Sequence, residues 1–357
     1  MLCLAQQFVF CGREVDQPGH VGQKLVQSLT LGLGCFVHLS RFSYKVAIVP
    51  QSFQKKRWQT HRTENGLDKR YAWQTMNTRT SDKYVLAGVM GWPISHSRSP
   101  VIHGHWISQW GLRGSYVPLA VNPVALPQAL SGLAALGFAG CNLTLPHKVD
   151  ALACVHEMDA VARQIGAVNT VIVNPDGSLR GTNTDAFGYI QSLHEAQPSW
   201  QAAQGATVVL GAGGAARAVV WALADAGVKD IRLINRSPDK AHALAAAFGS
   251  PVRACPWEQR ADALADAGLL VNTTTQGMQG QPALDIDLAA LPLHAVVSDI
   301  VYTPLKTDLL MRAEQRGHPI VNGLGMLLHQ ARPGFAAWFG VMPEVTPALW
   351  QAVLATL

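Results

Sequence analysis

Two kinds of residue cluster in this 357-residue chain could do chemistry. The first is Thr207-Val-Val-Leu-Gly-Ala-Gly-Gly-Ala-Ala-Arg-Ala218, an apolar strand running into glycines and then into an alanine-rich helix. Gly211 would permit a tight turn, Gly213 a close approach of backbone to a pyrophosphate, and Ala216 close packing of helix on strand. Ala212, Gly214 and Ala215 complete the loop. A plain strand-to-helix turn can carry the same glycines, so the reading leans on the flanking strand and helix. The next strand, Asp230 to Ile234, ends in Asn235-Arg-Ser-Pro-Asp-Lys240. An NAD site wants a carboxylate there, accepting from the ribose 2′-hydroxyl, and Asn235 and Arg236 stand in its place. Arg236 as a planar fork and Lys240 as a point charge, with Ser237 between them, can instead hold a 2′-phosphate. The chemistry therefore prefers NADP, although a solvated basic turn would look similar.

The second kind comprises Gly91-Trp-Pro-Ile-Ser-His-Ser-Arg-Ser-Pro100, Asn142-Leu-Thr-Leu-Pro-His-Lys148, Gly166-Ala-Val-Asn-Thr170 and Gly181-Thr-Asn-Thr-Asp-Ala-Phe-Gly188. Together these clusters offer hydroxyls, an amide, the Lys148 ammonium and the Asp185 carboxylate, an inventory suited to a small polyhydroxylated acid. Each is expected where a strand ends, the edge at which open parallel sheets bind ligands. His96, His103 and His147 lie among them without carboxylate or cysteine at ligand spacing. They read as structural or wall residues, and no metal site is expected. Trp92, Trp106, Trp110, Trp338 and Trp350 read as core or cleft lining.

The elements that must position these groups alternate between short β-rich runs and longer Ala/Leu-rich helical patterns, the mark of βαβ units and parallel sheets. Strands are predicted over Tyr84 to Val89, Gly114 to Leu119, Gly140 to Thr144 and Thr170 to Asn174, with a helix over Pro123 to Leu136. A Gln/Pro-rich break from Glu195 to Gly205 precedes the strand Ala206 to Leu210 and a second βα series. The fold class is α/β, with two α/β domains joined near residue 190.

Composition narrows the function classes. With 48% hydrophobic and 14% charged residues the chain can bury a sizeable core. The net charge of +5 resides at the front, where residues 1–75 hold ten Lys/Arg against four acids and the remaining residues sum to −1. The body therefore has no bulk charge that asks for nucleic acid. Six scattered cysteines without a CxxC suit a reducing cytoplasm. No transmembrane helix is expected, and Met1 to Phe10 lacks the basic start of a secretory signal. Residues 1–75 show no clear periodicity and read as a non-native or disordered extension, with a natural-looking start at Met76.

From Lys83 to Leu357 the sequence resembles the shikimate dehydrogenase family. Besides the clusters above and the NADP unit, it carries Asn272-Thr-Thr-Thr-Gln-Gly-Met278, Asp299-Ile-Val-Tyr302 with Pro304 and Leu309-Leu310, and Asn322-Gly-Leu-Gly-Met326 with Gln330, in the family's order. The resemblance implies an oxidoreductase acting on a CH-OH group, reversibly reducing 3-dehydroshikimate to shikimate with NADPH. That step belongs to the shikimate pathway toward chorismate and the aromatic amino acids. It implies that Ser97 and Ser99 bind the substrate carboxylate, that Thr144, Asn169, Tyr302 and Gln330 contact carboxylate or ring hydroxyls, and that Lys148 and Asp185 pair at the reacting carbon. Ile300 and Gly323 would lie beside the nicotinamide. For Gln330 to reach the substrate the chain must return. Residues 83–188 with 323–357 then form a substrate-binding domain with a mostly parallel sheet, and residues 189–322 a Rossmann-type NADP domain. The implied partner is the small-molecule substrate, without nucleic acid or membrane, in a monomer or homodimer. Gly104 departs from the family, many members of which carry Asn there, and residues 1–75 have no counterpart.

The chemistry asks for such a pair in its own right: hydride arriving at a ketone leaves an alkoxide, which a positioned ammonium stabilises and protonates. Asp185 can orient that ammonium, and it can equally cap the helix that follows it. Other readings stay open. A quinate or quinate/shikimate dehydrogenase differs in one saturated, hydroxylated ring carbon, and a non-catalytic nucleotide-binding regulator should have lost Lys148 or Asp185. Glutamyl-tRNA reductases share a related dinucleotide domain but rely on a catalytic cysteine and RNA contacts.

Overall fold

Residues 83–357 are described in the computed structural model, together with the backbone of a short antiparallel pair before them, β1 (His38–Leu39) with β2 (Phe42–Ser43). The expectations for residues 1–75 and for a start at Met76 otherwise lie outside the described residues. Residues 83–357 all fall within one compact unit.

Its strands are Val/Leu/Ile-rich runs that stop at glycine or polar residues, and they sort into two sheets. The first holds β3 (Val85–Gly91), β4 (Gly114–Ala120), β5 (Phe138–Leu143), β6 (Glu157–Met158), β7 (Thr170–Val173) and β8 (Leu179–Thr182), in the order β4-β3-β5-β7-β8-β6. Strands β3, β4 and β5 are parallel, and β7 runs antiparallel to both β5 and β8. The start of β7 therefore lies at the same edge as the ends of β3, β5 and β8, which gathers all four polar clusters there.

The second sheet holds β9 (Ala206–Leu210), β10 (Ile231–Ile234), β11 (Val252–Cys255), β12 (Ala267–Asn272), β13 (Val296–Asp299) and β14 (Ile320–Val321). All its pairs are parallel, in the order β11-β10-β9-β12-β13-β14. That is the doubly wound dinucleotide order, with the chain reversing direction beside β9.

Helices α1 (Ser99–Gln109), α2 (Leu126–Ser131), α3 (Ala160–Ile165) and α4 (Asp185–Ala196) belong to the first half, and α5 (Gly214–Asp225), α6 (Pro238–Phe248) and α7 (Asp308–Gln315) to the second. Then α8 (Gly323–Phe339) and α9 (Pro347–Leu354) go back to the first sheet. Leu328, Ala331, Phe335 and Trp338 of α8 share a core with Ala87 and Val89 of β3 and with Ile102 and Trp106 of α1. Truncating a fully buried aromatic such as Phe335 to Ala would cost about 3 to 5 kcal/mol. The crossing of α4 and α8 depends on Gly188, where an added Cβ would fall 2.5 Å from Gln330 Cβ and 2.8 Å from the Met326 carbonyl oxygen. A mid-helix glycine costs about 1 kcal/mol of helix propensity. In return the two backbones approach closely enough to bring Gln330 to the start of β7 and the end of β8.

Two expectations about elements need correction, and two short strands are not foreseen. The helix predicted over Pro123 to Leu136 is a 3-10 turn, Pro123–Ala125, followed by the short α2. Pro127 has no N–H to carry an earlier turn onward, and from Gly132 the chain makes turns up to Gly137, at φ +75°. The break expected from Glu195 starts later, because α4 continues to Ala196. Strands β6 and β8, of two and four residues, carry too short a pattern to be predicted.

Candidate active site

Lys148 follows the turn after β5, and its ammonium donates to Asp185 Oδ2 at 2.6 Å. The lysine side chain keeps 16% of its surface exposed and the aspartate 4%, so the pair is largely buried and the lysine is its more accessible member. The other carboxylate oxygen, Asp185 Oδ1, accepts from Asn169 Nδ2 at 2.8 Å. Asp185 N–H donates to Asn183 Oδ1 at 3.0 Å, securing the backbone from which the carboxylate projects. The helix cap, which Asp185 could have been, is Thr184, and Asp185 is the first helical residue. In that place its charge faces the positive end of α4 and both oxygens remain free for Lys148 and Asn169. Asn169 Nδ2 also reaches Thr184 Oγ1 at 3.0 Å and Gln330 Oε1 at 3.4 Å.

The residues expected at the carboxylate end surround the start of α1. Ser99 is buried, and its N–H donates to Ser97 Oγ at 3.3 Å. Thr144 follows β5, with its methyl against Gly91 and its N–H on the Met90 carbonyl at 2.9 Å. Tyr302 follows β13 and packs against the core shared by α1 and α8. Burial pushes its phenol pKa up, and the positive charge of Arg98 opposes that rise. Among the described residues no hydrogen bond ties Ser97, Thr144 or Tyr302 to the Lys148 pair, whereas Lys148, Asp185, Asn169 and Gln330 form one connected group.

Beside Lys148 lies the glycine loop. Gly211 has φ +111°, and a Cβ there would sit 2.5 Å from Thr273 Oγ1, so the turn admits only glycine. Its N–H donates to the Ile234 carbonyl at 2.8 Å, tying the loop to the end of β10. No atom lies within 4 Å of where a Cβ on Gly213 would be, and Gly213 is also the cap of α5. Open space in front of a helix N-terminus fits a pyrophosphate. Asn235 donates to the Ser237 carbonyl at 3.0 Å, and Arg236 and Lys240 stand exposed around the start of α6. Among the described residues neither cation has a side-chain partner, which suits a 2′-phosphate. Ile300 and Gly323 adjoin at the ends of β13 and β14, where Gly323 N–H donates to the Val301 carbonyl at 3.2 Å. The Lys148 stem passes 3.4 Å from where a Cβ on Gly214 would be, so the lysine borders the dinucleotide loop directly.

Two family signatures match this chain: the shikimate dehydrogenase substrate binding domain over residues 89–171, and shikimate/quinate 5-dehydrogenase over residues 194–279. The protein named shikimate dehydrogenase (NADP(+)) in Paramagnetospirillum magneticum is 57% identical, over 77% of this chain and 100% of its own length. The protein of that name in Rhodospirillum rubrum is 54% identical, over 75% of this chain and 96% of its own. The chain belongs to the shikimate dehydrogenase family. Among solved structures, the family member from Thermus thermophilus in complex with NADP(H) and shikimate is 38% identical. It matches 76% of this chain and all of its own, at TM-score 0.69. A quinate dehydrogenase from Corynebacterium glutamicum in complex with NAD is 30% identical, over 76% of this chain and all of its own, at TM-score 0.71. Fold alone thus does not separate the two substrates within this family.

Gly104, where many family members carry Asn, sits on the exposed face of α1 with open space beside it, so the difference leaves the helix unchanged. His96 is exposed, while His103 and His147 are buried. His147 Nε2 bonds the Val121 carbonyl at 2.9 Å, and burial lowers its pKa. Sequence reasoning missed Thr273, which donates to the Leu210 carbonyl at 2.6 Å and braces the glycine loop, and Asp299, which accepts from Asn272, Val301 and Thr307 beneath Ile300. Burial pushes the Asp299 pKa up to about 6 against those three bonds. Both residues lie inside motifs that were recognised, but nothing in a motif says which positions face inward.

Proposed function

We propose that this protein reversibly reduces the 3-keto group of 3-dehydroshikimate to shikimate, with NADPH as the reductant and Lys148 and Asp185 as the pair at the reacting carbon. The observation that carries the reading is the 2.6 Å Lys148–Asp185 ion pair bordering Gly214 of the dinucleotide loop, which puts an ammonium between a substrate cleft and a cofactor cradle. Bound NADPH supplies the hydride. The loop 211–215 and the α5 N-terminus hold the pyrophosphate, Asn235, Arg236, Ser237 and Lys240 the adenosine phosphate end, and Ile300 and Gly323 the nicotinamide end.

On the substrate side, Ser97 and Ser99 take the carboxylate, and Thr144, Asn169, Tyr302 and Gln330 the ring hydroxyls and carboxylate edge. As the carbonyl is reduced, Lys148 stabilises the oxyanion and delivers a proton to it, while Asp185 holds the ammonium in place. In the oxidative direction the same nitrogen takes the hydroxyl proton. Residues 83–188 with 323–357 act as the substrate-binding domain and 189–322 as the NADP domain, with α4 spanning the boundary and packing Tyr189 and Leu193 into the core of the second sheet, a division supported by the return of α8 to the first sheet. A cytoplasmic location is supported by the free Cys141, Cys154 and Cys255. Among the described residues no helix is long and apolar enough to cross a membrane.

The test is a spectrophotometric assay of NADP+ reduction by shikimate, run beside quinate and beside NAD+. Preferred turnover of shikimate with NADP+ is expected. Equal turnover of quinate would make the protein a quinate/shikimate dehydrogenase, and no turnover of either acid would overturn the proposal.

A further inference from the structure

Beneath the site runs a chain of buried polar side chains to which the chemistry above assigns no role. Tyr116, stacked face to face on His103 with ring centroids 3.9 Å apart, donates its single O–H to Asn142 Oδ1 at 2.6 Å. With its oxygen so engaged, Asn142 must present its NH2 to the other side. That group donates to the Asn169 carbonyl at 3.2 Å and to Thr170 Oγ1 at 2.9 Å. Thr170, accepting there, has its own proton left for Asn169 Oδ1 at 2.9 Å, the longer contact to Thr184 Oγ1 being 3.3 Å. Asn169 Oδ1 is then turned toward Thr170 and toward the Thr184 N–H at 2.8 Å, and its Nδ2 is the only group left to face Asp185 Oδ1 at 2.8 Å. The opposite amide orientation would set two oxygens 2.8 Å apart, one of them on a carboxylate. Burial holds the Tyr116 phenol pKa well above its usual 10, so the first donor keeps its proton. Each bond in such a chain polarises the next in a low-dielectric interior.

We infer that Tyr116, Asn142 and Thr170 are positioning residues for the reaction: they transmit a single donor-to-acceptor sense to Asn169, which thereby offers an N–H to Asp185. The inference rests on the assignment of Lys148 and Asp185 to the reaction. Because the Thr184 N–H also holds Asn169 Oδ1, the contribution of the chain is partial, of the size of one ordinary hydrogen bond.

Thr170→Val tests it, since valine keeps the shape and the methyl that packs against Gly334 but has no hydroxyl. The kcat for shikimate oxidation should fall about three- to tenfold, the range of one net hydrogen bond, while the shikimate KM moves less. Thr170→Ser, which keeps the hydroxyl, should restore kcat. Tyr116→Phe should lower kcat by less, and Tyr116→Phe/Thr170→Val should be no worse than Thr170→Val alone, because the influence of Tyr116 passes through Thr170. A folded Thr170→Val enzyme with wild-type kcat, or independent losses in the double variant, would overturn the inference. Should Thr170→Val not fold, an unchanged kcat in Tyr116→Phe would do the same. Lys148→Ala, assayed alongside, separates the two readings. If it is nearly inactive while Thr170→Val is normal, only the chain is wrong, and if Lys148→Ala is itself normal, the assignment of the pair is wrong.

Discussion

The two sheets keep their polar atoms in different places. In the second sheet β9, β10, β12 and β13 are buried end to end, and the groups available for a ligand are the backbone N–H groups from Ala212 to Gly214 and the exposed cations Arg236 and Lys240. In the first sheet Asn142, Asn169, Thr170 and Asp185 are buried side chains at the strand ends, bonded to one another, while the buried Thr182 donates to Asp159 and the buried Asn183 bonds the Ala167 carbonyl and the Asp185 N–H. A dinucleotide can be held by backbone geometry that tolerates side-chain change. A small polyhydroxylated acid needs fixed side-chain donors and acceptors, and once buried these must satisfy each other. Substitutions should therefore act on chemistry in the first half and on cofactor affinity in the second.

The largest test of that asymmetry is at the pair. Lys148→Ala should lower kcat by about 10² to 10⁴, the usual range for a general acid or base, with KM moving far less. Asp185→Asn should also lower kcat, and the double variant should lose much less than the product of the single losses, because the two act as a unit. Steady-state kinetics showing additive losses, or a near-normal Lys148→Ala enzyme, would remove the contrast between the halves.

A smaller effect is expected in the second half. Arg236→Ala should raise the NADP+ KM by about ten- to a hundredfold, the worth of a charged hydrogen bond, and leave kcat and the use of NAD+ nearly unchanged. As Arg236 is exposed, the effect should shrink with added salt. Equal loss with both cofactors would mean that Arg236 does not read the 2′-phosphate.

The last test concerns stability rather than turnover. His103 lies fully buried, and among the described residues neither ring nitrogen is within good hydrogen-bond geometry of a partner, the Asn142 side chain being only nearby. Burial pushes its pKa from 6.5 down to about 3, opposed in smaller measure by the nearby Asn142 side chain. Between those values the unfolded chain takes up a proton that the folded one refuses, so stability contributed by neutral His103 is present above 6.5 and is lost as pH falls toward 3. The loss is at most about 1.4 kcal/mol per pH unit. Thermal unfolding followed from pH 7 to 4 should show His103→Phe losing less Tm than wild type. Parallel curves would show that His103 does not contribute to acid lability.

Much of the second half is legible along the chain because its determinants are local. An apolar run closed by glycines reports a strand and its turn, and the strand Ala206–Leu210 falls where it is predicted. The basic pair after β10 follows from the absence of a carboxylate at one position. In the first half the residue types are equally legible, so the hydroxyls, the amide, Lys148 and Asp185 can be named as a substrate inventory. Their partners cannot. The amide sense of Asn169 depends on Tyr116, on another strand, and on Thr184, the cap of the next helix.

What the sequence by itself determined is the α/β class, the dinucleotide turn, the cofactor preference and the list of groups able to handle a keto acid, because each is set by neighbours in the chain. Only the tertiary structure decided which of those groups meet. Gln330 comes within 3.4 Å of Asn169 across 161 residues because α4 and α8 cross at Gly188, and Asp185 pairs with Lys148 from the first helical position of α4, one residue beyond the cap position. Periodicity records which face of an element is buried, whereas the depth of a helix crossing and the direction of a buried hydrogen bond depend on residues that are close only once the chain has folded.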